Sequence, residues 1–541
     1  MRNSLCYLMT SLILSVTALA QQSAATNGAV DSRARSIVSR ALEKIGGAEA
    51  LRKSGGLALA AEGVWDAAAE LQGMKPDAAN PAPFVEKLAL DFSADRLGYE
   101  SRHTRYDGTD DSLRFVYLNG NQMRFAHLTD RFVFWRQDDA FVDERRRLAR
   151  MIPQFLLAEA LEHPASLRYP GARSVAGRSY EQVSWRFSSG ETLTLFFDRD
   201  KGWLTGFEQL VDAPLLGDTP LRWEFDEYRR APGFGLYPAG YRIKLGTRLL
   251  KQMRYTQIQA GSVAESELFS VPAGIRPPQP PAPPSTPPAA RPRQPRVTQA
   301  APGVYFVANV RSGSHAMFVE FADHLMAFDA PAGYLELHQI PARDFATGAT
   351  SSSVTEDFIR VMKETAPGKP IRYVALTHFH GDHAGGARAF IAEGATILTT
   401  KAARPLIERA AGARFTINPD RLSRNPREPK FEIVSGRRVI SDGKQQVELI
   451  EVGKNPHCEE MLAMLLPRDG VVFVADLFTP WSLQRQPSAG HITLMKFFAG
   501  WLDEKGIKPL KIYGAHGAGA ATPEHLERIR SQAQPNQYRE R

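Results

Sequence analysis

Apolar and polar positions change rhythm along this chain. In "SRARSIVSRALEKIGG", Ile37, Val38, Ala41, Leu42 and Ile45 recur at helical spacing, and Gly46-Gly47 ends the run. A helix with one buried face is predicted there. Farther on, "LRFVYLNGNQMRFAHL" and "ETLTLFFDRDKGWLTGFEQL" each carry two apolar-rich runs around a turn, Asn119-Gly120 in one and "DRDKG" in the other. Each predicts an antiparallel hairpin. A helical insert is expected from Asp143 to Glu162. The first half therefore reads as a long curved antiparallel sheet wrapping a few helices.

The second half alternates element types. "GVYFVANV", "HAMFVEFA" and "HLMAFDA" read as consecutive strands, followed by a helix from Thr355 to Thr365. The strands "IRYVALT" and "ATILTT" then alternate with the helices "GARAFIAEG" and "AARPLIERAAG". "QQVELIEVG", "MLAMLLP", "VVFVAD" and "LKIYGA" are further strands, and Pro523 to Gln532 is a closing helix. Helices covering sheets in an α/β pattern follow. Between the halves lies "IRPPQPPAPPSTPPAARPRQPR", dense in proline and without apolar periodicity. Such a segment is an extended spacer. The expected organisation is a leader over 1–20, a β-rich domain over 30–274, a Pro-rich linker over 275–297 and an α/β domain over 298–532.

Composition narrows the partners. Hydrophobic residues make up 43% of the 541, enough for sizeable cores. The net charge is +8, but the basic residues are scattered, with no basic run interleaved with aromatics. No nucleic-acid partner is expected on that basis. Met1 to Ala20 joins Arg2 to the apolar run "YLMTSLILSVTALA", with small residues at Ala18 and Ala20. This predicts a signal peptide, export to the periplasm or the medium, and no transmembrane span after cleavage. Cys6 leaves with the signal, so Cys458 has no partner for an internal disulfide.

The chemistry concentrates in "VALTHFHGDHAGG". His378 and His380 are two apart at a predicted strand end, a spacing that puts both side chains on one face. Asp382 and His383 follow in a glycine-containing turn. Imidazole with carboxylate suits zinc, and iron or manganese as well. One loop cannot surround two metals, and His457, Asp476 and His516, each just past a predicted strand, supply the missing donors. The intervals from His383 are 74, 19 and 40 residues.

This set, H-x-H-x-D-H followed by His, Asp and His, resembles the metallo-β-lactamase fold superfamily across the whole C-terminal half. The resemblance implies an αββα sandwich. It further implies that His378, His380 and His457 bind one metal, that Asp382, His383 and His516 bind the other, and that Asp476 bridges them. Two zinc ions per chain are expected. In such a centre a hydroxide held between the metals attacks a small-molecule substrate, with Asp382 as the catalytic residue that orients it and passes a proton on. The zinc β-lactamases usually carry Cys or Ser where this chain has Asp476. The glyoxalase-II signature Gly-His-Glu-Tyr is replaced by "AHGAG". Hydrolysis of an ester, lactone or thioester carbonyl is therefore the leading expectation. The alternatives are a phosphodiesterase on the same site, or a lipid- or partner-binding protein with an auxiliary metal site.

The first half resembles the outer-membrane lipoprotein carrier family, through its opening helix ending in Gly-Gly, its run of hairpins and its closing "AESELFSVPAG". That implies a β half-barrel with helices and a hydrophobic ligand on its concave face; a scaffold or docking module is the other reading. Asp329, ending "HLMAFDA", either hydrogen-bonds a ligand histidine or caps a turn. Cys458 reads as a small buried residue, and Trp481 and Tyr513 as core residues rather than pocket lining. His315, His324, His338 and His491 receive no role.

Overall fold

The computed structural model describes residues 30–275 and 295–532, except 68–73, 77, 106–109, 119–121, 130, 138–139, 176, 312–313, 334–339, 343–351 and 481–488. The expected signal peptide, the Asn119-Gly120 turn, most of the linker, His338 and Trp481 lie outside the described residues.

The opening helix spans Ser32–Lys44. Asp31 caps it, its carboxylate accepting the Ala34 N–H at 2.9 Å. Ile37, Val38, Ala41 and Ile45 are buried, as their spacing requires. Gly46 ends the helix at φ +101°, and a Cβ there would lie 2.7 Å from Gly235 Cα, so only glycine fits both the turn and the contact. The expected helical insert appears as Ala140–Ala149 and Pro153–Glu162.

Beside a short helix at Ala48–Lys53 and a two-stranded sheet of Tyr228–Arg230 and Leu236–Pro238, most of this region forms one 13-stranded sheet. It begins at the edge with Phe132–Gln137 and runs back strand by strand to Gly56–Asp66. There it pairs with Arg248–Ala260 and continues outward to the far edge at Leu167–Val175. The strands either side of Asn119-Gly120 pair, Leu118 opposite Gln122. The "DRDKG" hairpin forms too, with the Asp198 carboxylate accepting the N–H groups of Asp200 and Lys201 at 2.9 and 2.8 Å. One face of the sheet and the helices share a core that includes Trp185, Phe207, Trp223 and Tyr241.

The C-terminal region contains two further sheets. In the seven-stranded one, Arg296–Ala301, Val304–Arg311, Ser314–Glu320 and Leu325–Phe328 are antiparallel, and Ile371–Ala375, Thr396–Thr399 and Lys430–Ile433 add in parallel. The six-stranded one orders Arg437–Ser441, Gln446–Glu451, Leu462–Leu466, Val471–Phe473, Lys511–Tyr513 and Ala520–Ala521. Alternation sorts their faces. Met317 and Val319 join Met464 and Phe473 in a core between the sheets. Ala316, Phe318 and Val472 point the other way, into a core with Phe358, Phe390 and Phe498 from helices. The first strand starts at Arg296, inside the expected 275–297 linker.

Several elements escaped pattern reading, three of them for reasons the structure shows. Lys430–Ile433 is short, and Arg437–Ser441 is an edge strand with Ile440 as its buried residue. Helix Ala489–Lys505 carries apolar residues around much of its circumference, so it lacks a clear polar face. Among the described residues no helix is long and apolar enough to cross a membrane.

Candidate metal centre

The strand expected to carry His378 and His380 ends at Ala375. Both histidines lie beyond it, in irregular backbone and at the entry to a helical turn, Gly381–Ala384. Strand alternation therefore does not set their direction. The loop does, and it brings their rings to 4.4 Å between centroids at 70°. The turn is fixed from both ends. His380 C=O accepts the N–H groups of His383 and Ala384 at 3.0 and 2.8 Å, while Ala330 donates to His383 C=O at 2.7 Å.

The other three residues arrive from the six-stranded sheet. His457 follows Gln446–Glu451; Asp476 sits in the single turn Ala475–Leu477 after Val471–Phe473; His516 follows Lys511–Tyr513. All seven residues come together as two groups that share Asp476. His378, His380, His457 and Asp476 form one, and Asp382, His383, Asp476 and His516 the other, with donor atoms within 4.8 Å of one another in each. The two carboxylate oxygens of Asp476 divide between them. Oδ2 lies 3.2 Å from His457 Nε2, whereas Oδ1 lies 2.9 Å from His383 Nε2 and 3.2 Å from His516 Nε2. Asp382 Oδ2 is 3.3 Å from His516 Nε2.

The electrostatics of this arrangement call for a cation. Burial, reinforced by His383, His380 and His457, holds His378 well below the ordinary imidazole range. Burial also opposes charge on His383 and His516, yet the carboxylates win. Asp476, with Asp382 and Asp329, holds His383 well above its usual range, and His516 is raised to about 10. His383 Nε2 and Asp476 Oδ1 are buried and close, but not aligned as a hydrogen bond. His378 Nε2 and His457 Nε2 face each other at 3.1 Å. Donor atoms that converge on a shared centre are what a metal requires. Five imidazoles and two carboxylates fit zinc, and also iron or manganese.

Asp329 resolves in favour of the ligand contact. Its Oδ2 sits 2.9 Å from His383 Nδ1 and 3.0 Å from Thr377 Oγ1, and Oδ1 accepts the Thr377 N–H at 2.8 Å. This orients the His383 ring from behind. Asp329 and Ala475 both adopt left-handed backbone, at φ +64° and +45°. Cys458 is fully buried with its thiol pushed up to about 12 by burial, and its Sγ reaches Glu460 C=O at 3.3 Å. Tyr513 packs in the core between the sheets.

Two supporting residues were missed. Asn455 Oδ1 accepts the N–H groups of His457 and Cys458 at 2.9 and 3.0 Å, fixing that loop. The Asn-Pro pair in "GKNPHC" is the turn signal that points to it. His315 accepts the Asn309 N–H at 3.0 Å and faces Gly517 C=O at 3.1 Å, while its own N–H donates to Ala515 C=O at 2.8 Å. It thereby holds the loop of His516, and no spacing in the sequence announces it.

Residues 350–516 match the family model described as the metallo-beta-lactamase superfamily. The C-terminal region thus carries a domain of that superfamily. Among similar solved structures are a metallo-beta-lactamase from Pontibacter korlensis, 16% identical, covering 44% of this chain and 100% of its own at a TM-score of 0.30. FIM-1 from Pseudomonas aeruginosa, in its mono-zinc form, is 18% identical, with 44% and 93% covered at 0.29. A metallo-beta-lactamase from Hirschia baltica is 16% identical, with 44% and 96% covered at 0.30. No curated protein matches the chain.

Proposed function

We propose that this chain is an exported hydrolase with two zinc ions, acting on an ester, lactone or thioester carbonyl of a small molecule. One observation carries the reading: the two oxygens of Asp476 face different donor groups. Zinc bound there would generate hydroxide at neutral pH and polarise a carbonyl. His378, His380 and His457 would hold one ion, and Asp382, His383 and His516 the other, with Asp476 between them. Asp382 lies beside His516, where its carboxylate can orient the attacking water and move a proton toward the leaving group. His516 keeps 25% of its side chain exposed, so substrate enters on its side.

The face-to-face sheets with helices against their outer faces are read as an αββα sandwich. The N-terminal sheet is read as a half-barrel related to lipoprotein carriers, over 30–274, joined by the Pro-rich linker. The leader at 1–20 supports a periplasmic or secreted location. Metal analysis of the purified mature protein tests the centre: two equivalents of zinc are expected. A panel of lactone, ester, thioester, β-lactam and phosphodiester substrates tests the reaction. Turnover of phosphodiesters alone replaces the carbonyl reading; two metals with no turnover favours a binding protein.

A further inference from the structure

The two regions exchange residues across their boundary. Leu215, in the tight turn joining strands Leu204–Ala213 and Gly217–Phe225 of the N-terminal sheet, belongs to the C-terminal helix-side core and is 2% exposed. It holds a left-handed backbone, φ +63°, which a leucine adopts only under constraint from its surroundings. In the other direction, Ile340 and Ala342, from the segment following Asp329, are buried in the N-terminal core.

The hairpin tip presses on the metal-binding turn itself. Gly385 follows Gly381–Ala384 directly, and a Cβ there would lie 3.1 Å from Pro214 Cβ and 2.5 Å from Ala332 Cβ. The same hairpin is bonded down on both flanks. Asp218 accepts from Thr416 N–H at 2.6 Å and donates its own N–H to Arg414 C=O at 2.7 Å. Gln209 clasps Ala342 with both ends of its amide, donating to the C=O at 2.9 Å and accepting the N–H at 2.8 Å. Behind the same turn, Ala330 donates to His383 C=O and accepts the Gly386 N–H, and Asp329 holds the His383 ring. The tip of this N-terminal hairpin thus touches the His383 turn at its C-terminal end.

We propose that this hairpin is a positioning element of the metal centre. Leu215 and Pro214 set the place of the turn carrying Asp382 and His383. The inference rests on the two-metal reading above. The N-terminal region is then part of the centre's supporting frame and not a detachable carrier. Its effect falls on the Asp382–His383–His516 group, because the hairpin contacts that turn and not the His457 loop.

The test uses the full mature chain, with cobalt as the probe. Leu215→Gly relieves the backbone strain but deletes the side chain, Pro214→Gly removes the Cβ that faces Gly385, and Leu215→Met is the conservative control. Cobalt stoichiometry, the visible d–d spectrum and the rate of metal loss to a chelator are read beside the melting of the metal-free proteins. Leu215→Gly and Pro214→Gly are expected to lose one cobalt roughly 10- to 100-fold faster than wild type. The second cobalt is retained, and Leu215→Met behaves as wild type. Should Leu215→Gly fail to fold, Pro214→Gly decides the matter. Variants that melt lower but hold both ions with the wild-type spectrum and rate assign the hairpin a purely structural role and overturn the proposal. A wild-type chain that takes up no cobalt overturns the two-metal reading itself.

Discussion

Glu86 in the N-terminal sheet and Asp476 in the C-terminal region are both buried carboxylates, but their surroundings differ. Glu86 accepts hydrogen bonds from Tyr99 at 2.9 Å, from Lys251 at 2.6 Å and from Tyr241. Each donor points at one acceptor, and the Lys251 ammonium also lies 3.8 Å from the centre of the Phe84 ring. Burial opposes the charge on Glu86, yet Lys251 and the tyrosines hold its carboxyl below the usual range. Around Asp476, three imidazole nitrogens crowd two oxygens, and a second carboxylate adds its own charge. The first cluster closes on itself, whereas the second converges on a shared centre. Buried charge that is paired in full is structural; buried donors that converge are the arrangement from which metal sites are built.

The comparison breaks most visibly at the metal. Asp382→Ala and His380→Ala should each lower hydrolysis by on the order of 10^3-fold or more while leaving the far-UV spectrum and unfolding cooperativity in place. Activity retained in metal-free protein rejects the mechanism.

Lys251→Met carries the largest expected stability effect. It leaves Glu86 buried beside tyrosines without its cation, a loss of roughly 3–5 kcal/mol by urea unfolding. The double variant Lys251→Met/Glu86→Gln removes both charges and should recover most of it. Metal content stays at the wild-type value in both if the clusters are independent; a shared fall in zinc would erase the distinction drawn between them.

Asp329→Asn probes an intermediate case, a buried carboxylate serving a ligand. It keeps a polar side chain but loses the charge behind the His383 ring, and zinc affinity should drop about 10- to 100-fold with a small change in stability. An unchanged affinity would class Asp329 with Glu86 instead.

Legibility in the sequence divides along the same line. The seven donor residues could be listed from "THFHGDH", His457, Asp476 and His516 because donor identity and order survive in one dimension. Their grouping followed from the family resemblance, but the means did not, since it is the loop beyond Ala375, not strand alternation, that aims His378 and His380. The hairpins were legible where a turn signal separated alternating runs. Helix Ala489–Lys505 was not, because apolar residues spread around it leave no clear polar stripe. The exchange of Leu215 for Ile340 left no trace either. "DAPLLGDTP" reads as a turn with two apolar residues, and nothing local says that one of them belongs to another core.

The smallest effect is expected at Cys458, the residue that looks most like an eighth ligand. It adjoins His457, yet its thiol is fully buried, bonds Glu460 C=O and is held in its protonated form by burial. Only a thiolate binds metal or attacks a reagent with speed. Cys458→Ala should therefore keep both zinc equivalents and lose only about 1 kcal/mol, the cost of a small cavity. The native thiol should stay unmodified by an aromatic disulfide reagent at pH 8 until the chain is unfolded. Rapid labelling of the folded protein, or a zinc deficit in Cys458→Ala, would place Cys458 among the converging donors. The rule separating paired from convergent groups would then have failed at its closest test.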